Sequence, residues 1–243
     1  MPEENPAIVL VHGAFAESAS WNGVIERLRE RSFDVTAVAN PLRSVAGDAA
    51  YVRDVIAGIG GPVVLVGHSY AGIVITEAAA GNDAVIGLTY VGAFAPEHGE
   101  SAFELAGKFP GSTLASALVA HPLSTGGNDL AIAKESYHQQ FAADVPADTA
   151  AVMAATQRPV TDVALTTGLP TDTPAWRTIP SWFVFGSEDR NIPAELVRFM
   201  AERAGSRGTH EIAGASHALS VSCPDAVTAA ILQTAGVVAH KRG

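Results

Sequence analysis

Val63-Val64-Leu65-Val66-Gly67-His68-Ser69-Tyr70-Ala71-Gly72 is the stretch whose reading decides the fold. A β-branched run stops at a glycine, a serine follows, and Ile73-Val74-Ile75-Thr76-Glu77-Ala78-Ala79-Ala80 continues in residues suited to a buried helix. The order is strand, sharp turn, helix, with Ser69 at the apex. A serine on so tight a turn tolerates little side-chain bulk two residues before and two after it. Gly67 and Ala71 meet that demand, and Ala71 departs from the G-x-S-x-G pattern by one methyl group. The helix also directs its N-terminal amides at the serine, where a developing negative charge is favoured. Alone, the stretch fits an ordinary Gly-rich βα turn with a surface serine equally well, so the rest of the chain has to decide.

Working outward, Ala7-Ile8-Val9-Leu10-Val11 is a continuous apolar run of the kind buried on both faces of a parallel sheet, ended by His12-Gly13-Ala14-Phe15. Trp21 to Arg31 reads as a helix with Ser20 as its N-cap, and Asp34 to Val38 as a strand broken by Asn40-Pro41. Ala49 to Gly58 is the next helix, and Ile86 to Val91 the strand after the Ser69 unit. Glu97 to Ile179 then holds no convincing β-branched run. Helical pieces at Ser101–Lys108, Asn128–Ala142 and Thr149–Thr156 stand between Pro, Gly and Thr clusters, too apolar for a disordered loop. Alternation resumes with strand Ser181–Phe185, helix Ala194–Ala204, strand Thr209–Ile212 and helix Pro224–Thr234. The expected organisation is an α/β core of residues 1–96 and 180–243 with a helical cap, 97–179, inserted. The core is expected to be a mostly parallel sheet of about six strands with helices on both faces. Sites in such folds lie at the C-terminal ends of the strands, where Ser69 falls.

A chain of 243 residues suits one such domain. Its net charge of −10 argues against nucleic acid or an anionic membrane as partner. Cys223 is the only cysteine, which excludes an intramolecular disulfide and a thiolate metal cage; it reads as buried filler. Met1-Pro2-Glu3-Glu4-Asn5-Pro6 is unlike a signal peptide and no apolar run is long enough for a bilayer, so a cytoplasmic location is expected. His98, His121, His138, His210 and His240 have no metal-ligand spacing, and no dinucleotide or phosphate-binding glycine motif occurs. No metal or cofactor is expected.

A serine hydroxyl is a poor nucleophile at neutral pH, so it needs a base, and the base needs an orienting acid. Both follow strands later in the chain. Asp189, in Gly186-Ser187-Glu188-Asp189-Arg190-Asn191-Ile192-Pro193, is the expected acid, with Glu188 its nearest rival. His217, in Gly214-Ala215-Ser216-His217-Ala218, is the expected base. The order Ser, Asp, His is that of nucleophile-elbow hydrolases. A tetrahedral intermediate carries an oxyanion that needs two N–H donors. Tyr70 supplies one and Ala14 the other, with Phe15 second to Ala14. His12 is read as holding that loop by hydrogen bonds, and His68 as structural. Phe15, Phe103, Phe109, His138, Phe141, Met153 and Trp176 are candidates to line the substrate pocket, although a solvent-facing position suits His138 better.

Val11-His12-Gly13-Ala14, Gly67-His68-Ser69-Tyr70-Ala71-Gly72, Glu188-Asp189-Arg190-Asn191-Ile192-Pro193 and Gly214-Ala215-Ser216-His217 together resemble the α/β-hydrolase superfamily. Within it, the chain is most similar to bacterial carboxylesterases and to the branch of plant hydroxynitrile lyases and small methylesterases. The resemblance implies an α/β-hydrolase fold that works without a cofactor, with a helical cap between the sixth and seventh standard strands, where 97–179 lie. Two departures bear on function: Gly13 stands where the lyases carry Thr, and Ala218 where they carry Lys after the catalytic His. Without that charge to stabilise departing cyanide, a lyase loses its electrostatic rationale. Ser69 stands where epoxide hydrolases and haloalkane dehalogenases use Asp. The expected function is therefore a serine carboxylesterase for small to medium esters, with a small-molecule ester as partner and a homodimer left open. A thioesterase, a lactonase or a ligand-sensing protein on the same scaffold are the alternative readings.

Overall fold

Six parallel strands form the centre of the computed structural model, which describes residues 5–239. Met1 to Glu4, at the start of the acidic N-terminal stretch, and His240 lie outside the described residues. The chain begins with β1 (Ala7–Val11), α1 (Asn22–Arg29), β2 (Val35–Val38), α2 (Val45–Ile59), β3 (Val63–His68), α3 (Ala71–Ala79) and β4 (Val85–Val91). An insertion follows, made of α4 (Ala102–Ala106), α5 (Leu114–Ala117), β5 (Leu118–Pro122), β6 (Asn128–Ile132), α6 (Lys134–Phe141), α7 (Ala147–Thr156), β7 (Val160–Thr161) and α8 (Asp162–Thr166). The chain then returns to the sheet with β8 (Ser181–Gly186), α9 (Ala194–Arg203), β9 (Gly208–Ile212), α10 (Leu219–Ser222) and α11 (Pro224–Ala239).

The strand order is β2-β1-β3-β4-β8-β9. Every residue of β1 and β3 is buried, as unbroken apolar runs in the middle of a parallel sheet require. From β1 the chain moves outward to β2, and from β3 it moves the other way to β4. The loops after these two neighbouring strands therefore meet at the crevice where the winding reverses, the place such sheets reserve for ligands. Helices α1 and α11 pack on each other and α11 crosses β4 and β8, while α2 packs on α3.

Three expectations need correction. The insertion is not purely helical: β5, β6 and β7 form an antiparallel sheet, so Asn128–Ala142 divides into strand β6 and helix α6. Its strands carry few β-branched residues, and pairing is enforced by a hairpin whose Gly126 and Gly127 both adopt positive φ. Ser20 is not the cap of α1. It lies in a 3-10 turn, Ser18–Trp21, and its hydroxyl donates to Glu17 O at 2.7 Å, while the buried Trp21 occupies the capping position. Cys223 is partly rather than fully buried and is free. Among the described residues no helix is long and apolar enough to cross a membrane.

The insertion closes on itself at its base and is tied to the core at its far end. His98 bridges Leu169 where the chain leaves and returns. Arg43, ahead of α2, donates to Asp129 at 2.7 Å and to Pro159 O at 2.7 Å, and its carbonyl accepts from the Thr161 hydroxyl at 2.7 Å. Packing of the sheet is the main source of stability. Leu65, fully buried in central strand β3, is expected on truncation to Ala to cost about 2–5 kcal/mol, seen as a lower urea midpoint at unchanged slope. An unmoved midpoint would contradict the packing described.

Candidate active site

Ser69 occupies the turn between β3 and α3 at φ +58°, in the left-handed region that costs an ordinary residue about 1–2 kcal/mol. Neighbouring backbone holds it there. Its N–H donates to Val91 O at 3.2 Å, and its carbonyl accepts from Gly72 N–H at 3.0 Å and Phe94 N–H at 3.2 Å. A Cβ on Gly67 would lie 2.8 Å from Ala71 O, which explains the glycine two residues before the serine. The Ala71 methyl, by contrast, is accommodated and fully buried.

His217 arrives on the loop after β9 and Asp189 on the loop after β8. The Ser69 hydroxyl lies 2.9 Å from His217 Nε2, and His217 Nδ1 lies 2.6 Å from Asp189 Oδ2. The tautomer that satisfies both contacts carries its proton on Nδ1, leaving Nε2 to accept from the serine. Asp189 Oδ1 accepts from the N–H groups of Asn191 at 2.8 Å and Ile192 at 2.9 Å, which fixes the carboxylate. Glu188, the rival acid, is exposed, so Asp189 is the residue brought to the imidazole. A hydroxyl, an imidazole and a buried carboxylate in this chain can pass a proton from oxygen to nitrogen and hold the resulting imidazolium.

The loop after β1 packs directly against the serine: a Cβ on Gly13 would stand 2.6 Å from both His68 O and Ser69 Cβ. Of the two donors the sequence offers there, Phe15 N–H is already committed to Arg158 O at 3.0 Å. The Ala14 N–H and the Tyr70 N–H have no acceptor among the described residues, although both residues are buried. Unpaired buried N–H groups are uncommon enough to call for an acceptor. An oxyanion formed at Ser69 would meet that need.

Three buried groups support these loops. His12 Nε2 accepts from Asn40 N–H at 3.0 Å, its Nδ1 lies 2.9 Å from Gly13 O, and Asn40 Nδ2 donates to His12 O at 3.0 Å. His12 thus pins the loop, as expected, and burial lowers its pKa to about 4. His68 packs between Trp21, Phe141 and the His217 ring and bonds His217 O at 2.9 Å; burial, then the nearby His217, holds it well below the usual imidazole range. The Tyr70 phenol donates to Asp48 at 3.0 Å, and burial raises both groups.

A family model described as the alpha/beta hydrolase family matches residues 8–230. Alpha/beta hydrolase nvfD of Aspergillus novofumigatus is 30% identical over 253 aligned residues, which cover 95% of this chain and 97% of that one. The chain belongs to the alpha/beta hydrolase family. Among solved structures, polyneuridine aldehyde esterase superposes with a TM-score of 0.80 at 20% identity, covering 95% of this chain and 99% of its own. A pyrethroid hydrolase from Sphingobium faniae JZ-2 gives 0.74 at 23%, covering 95% and 97%. Tomato methylketone synthase I gives 0.79 at 17%, covering 97% and 99%. At these identities the likeness is one of fold.

In this alpha/beta hydrolase the aromatic candidates for the pocket divide. Phe15 is buried in the loop beside the serine, and Phe141 stands edge-on to His217 with ring centroids 4.9 Å apart. Met153 lines a cleft of about 420 Å³ together with Ala16, Glu17, Tyr137 and Val221. The others have different partners. Phe103 is 65% exposed, Phe109 packs on Phe199, Trp176 donates to Pro96 O at 3.0 Å, and His138 bonds Val145 O at 2.8 Å. No group of three or more His, Cys, Asp or Glu side chains among the described residues is placed to hold a metal. Asn40, Asp48, Tyr137 and Gln140 were absent from the expected site; only Asn40, at the break after a strand, carries a local signal.

Unfolded His12 titrates near 6.5, so between that pH and about 4 the unfolded chain binds a proton the folded one refuses. This contribution to stability is complete above pH ~6.5 and falls as pH drops, by about 2 kcal/mol from pH 7 to pH 5. His68 acts in the same direction. Urea unfolding at several pH values should therefore show a steeper loss below pH 6.5 for the wild type than for His12→Gln. Parallel profiles would contradict the assignment.

Proposed function

We propose that the protein is a serine carboxylesterase acting on small to medium carboxylic esters. The observation that carries this reading is the unbroken run of contacts from Ser69 Oγ through His217 to Asp189, at 2.9 and 2.6 Å. Ser69 Oγ attacks the acyl carbon while His217 Nε2 takes its proton. The carbonyl electrons move to oxygen, where the Ala14 and Tyr70 amides receive the charge. Collapse breaks the ester C–O bond, and His217 returns the proton to the departing alkoxide, leaving an alcohol and an acyl-enzyme. Water then attacks, its proton passing to His217, and the second collapse releases the acid and restores the Ser69 hydroxyl. Asp189 keeps Nδ1 protonated throughout and stabilises the imidazolium.

Several features support an ester over the other chemistries of the fold. Polyneuridine aldehyde esterase and the pyrethroid hydrolase, two proteins of like fold, carry hydrolytic names. Ala218, directly after the proposed base, is buried and brings no cation for a cyanide leaving group. Gly13 leaves no room for the threonine of the lyases, because even a methyl there would collide with His68 O.

Steady-state hydrolysis of p-nitrophenyl esters from acetate to decanoate tests the reading. Ser69→Ala is expected to lower kcat by about four to six orders of magnitude, and Asp189→Asn by about three to four. Multiple turnovers that persist in Ser69→Ala would overturn the mechanism. A single burst without turnover in the wild type would favour a ligand-sensing role.

A further inference from the structure

Helix α6 lies over the site in an arrangement that the proposed chemistry leaves unexplained. Tyr137, Gln140 and Phe141 share one helical face by their i, i+3, i+4 spacing, and all three are buried. Each reaches a different loop. Tyr137 Oη donates to Phe15 O at 2.7 Å, in the loop that presents Ala14. Gln140 Nε2 donates to Arg190 O at 3.0 Å and to Asn191 Oδ1 at 2.7 Å, in the loop of Asp189. The Phe141 ring abuts the His217 imidazole, and its carbonyl accepts from the hydroxyl of Ser216, the residue before His217, at 3.3 Å.

The hold on Phe15 is the most telling. Phe15 adopts φ +61°, a conformation unfavourable for an aromatic residue. Its carbonyl is taken by Tyr137 and its N–H by Arg158 O, while Arg158 N–H donates to Ala16 O at 3.4 Å. Both partners, Tyr137 and Arg158, belong to the insertion. With Phe15 fixed in this way, the neighbouring Ala14 N–H is the donor left free beside Ser69.

We propose that α6 is a positioning element for the whole site, so that seating the cap assembles the oxyanion donor, the acid and the base together. Tyr137 and Gln140 act through the loops they hold. The inference rests on the serine-esterase reading and adds to it the part that depends on the cap.

Tyr137→Phe removes one oxygen and keeps the ring that stacks on Phe141. It is expected to lower kcat on p-nitrophenyl butyrate about tenfold with KM within about twofold, because the lost interaction matters in the transition state. The inhibition constant of an alkyl trifluoromethyl ketone, whose serine adduct carries an oxyanion, should weaken by the same factor. Gln140→Met should also lower kcat about tenfold. Rates are taken per active site titrated with a fluorophosphonate, so misfolded protein does not count. Unchanged kcat in both variants, or a raised KM at constant kcat and ketone affinity, would overturn the proposal. Turnover surviving Ser69→Ala would overturn the esterase reading instead, and this inference with it.

Discussion

A serine held at φ +58° sits in a conformation it would leave without support, and the rest of the molecule supplies that support. Strand β3 carries Ser69 out of the centre of the sheet, β4 accepts its N–H through Val91, and α3 begins at once behind it. Burial of the β1, β3 and β4 side chains makes this frame rigid enough to store the strain. The adjacency of β1 and β3 brings the loop after β1 against the serine, so Ser69 and the Ala14 N–H share one structural origin. Nothing in the loops alone could fix a hydroxyl to 2.9 Å from an imidazole.

Around that frame, burial decides which groups carry charge. His12 and His68 lie within the same buried layer as His217, yet desolvation keeps both neutral in the physiological range. Of these three buried rings only His217 has a carboxylate against it, which is where a positive charge would best be accommodated. The neutral histidines serve as rigid spacers with directed hydrogen bonds, His12 under the loop of Ala14 and His68 behind the His217 ring. The cap adds a second layer over these supports. Its contacts fall on the Phe15 and Arg190 carbonyls, on the Asn191 side chain and on the His217 ring.

The core and the three side chains that meet at Ser69 were legible because each follows an apolar strand run, and chain order then limited the choices. Glu188 and Asp189 share one turn, so the sequence ranked Asp189 first without excluding its neighbour; the direction of the loop brings Asp189 to the imidazole. The cap was misread as helical because β5 and β6 are short and weakly β-forming, although the Gly126-Gly127 pair was a visible hairpin signal. Phe103, Phe109 and Trp176 look alike as apolar cap residues, but their surroundings depend on long-range packing that no local pattern encodes. Tyr137 was invisible for the same reason: its partner is a backbone carbonyl 122 positions away.

The most direct measurement of the central claim is rapid-quench mass spectrometry during turnover of a p-nitrophenyl ester. A serine esterase carries one acyl group per protein on the peptide that contains Ser69, formed with the first release of nitrophenol and lost at the rate of subsequent turnover. Sustained hydrolysis with no acylated peptide, or with the acyl group on another residue, would contradict it.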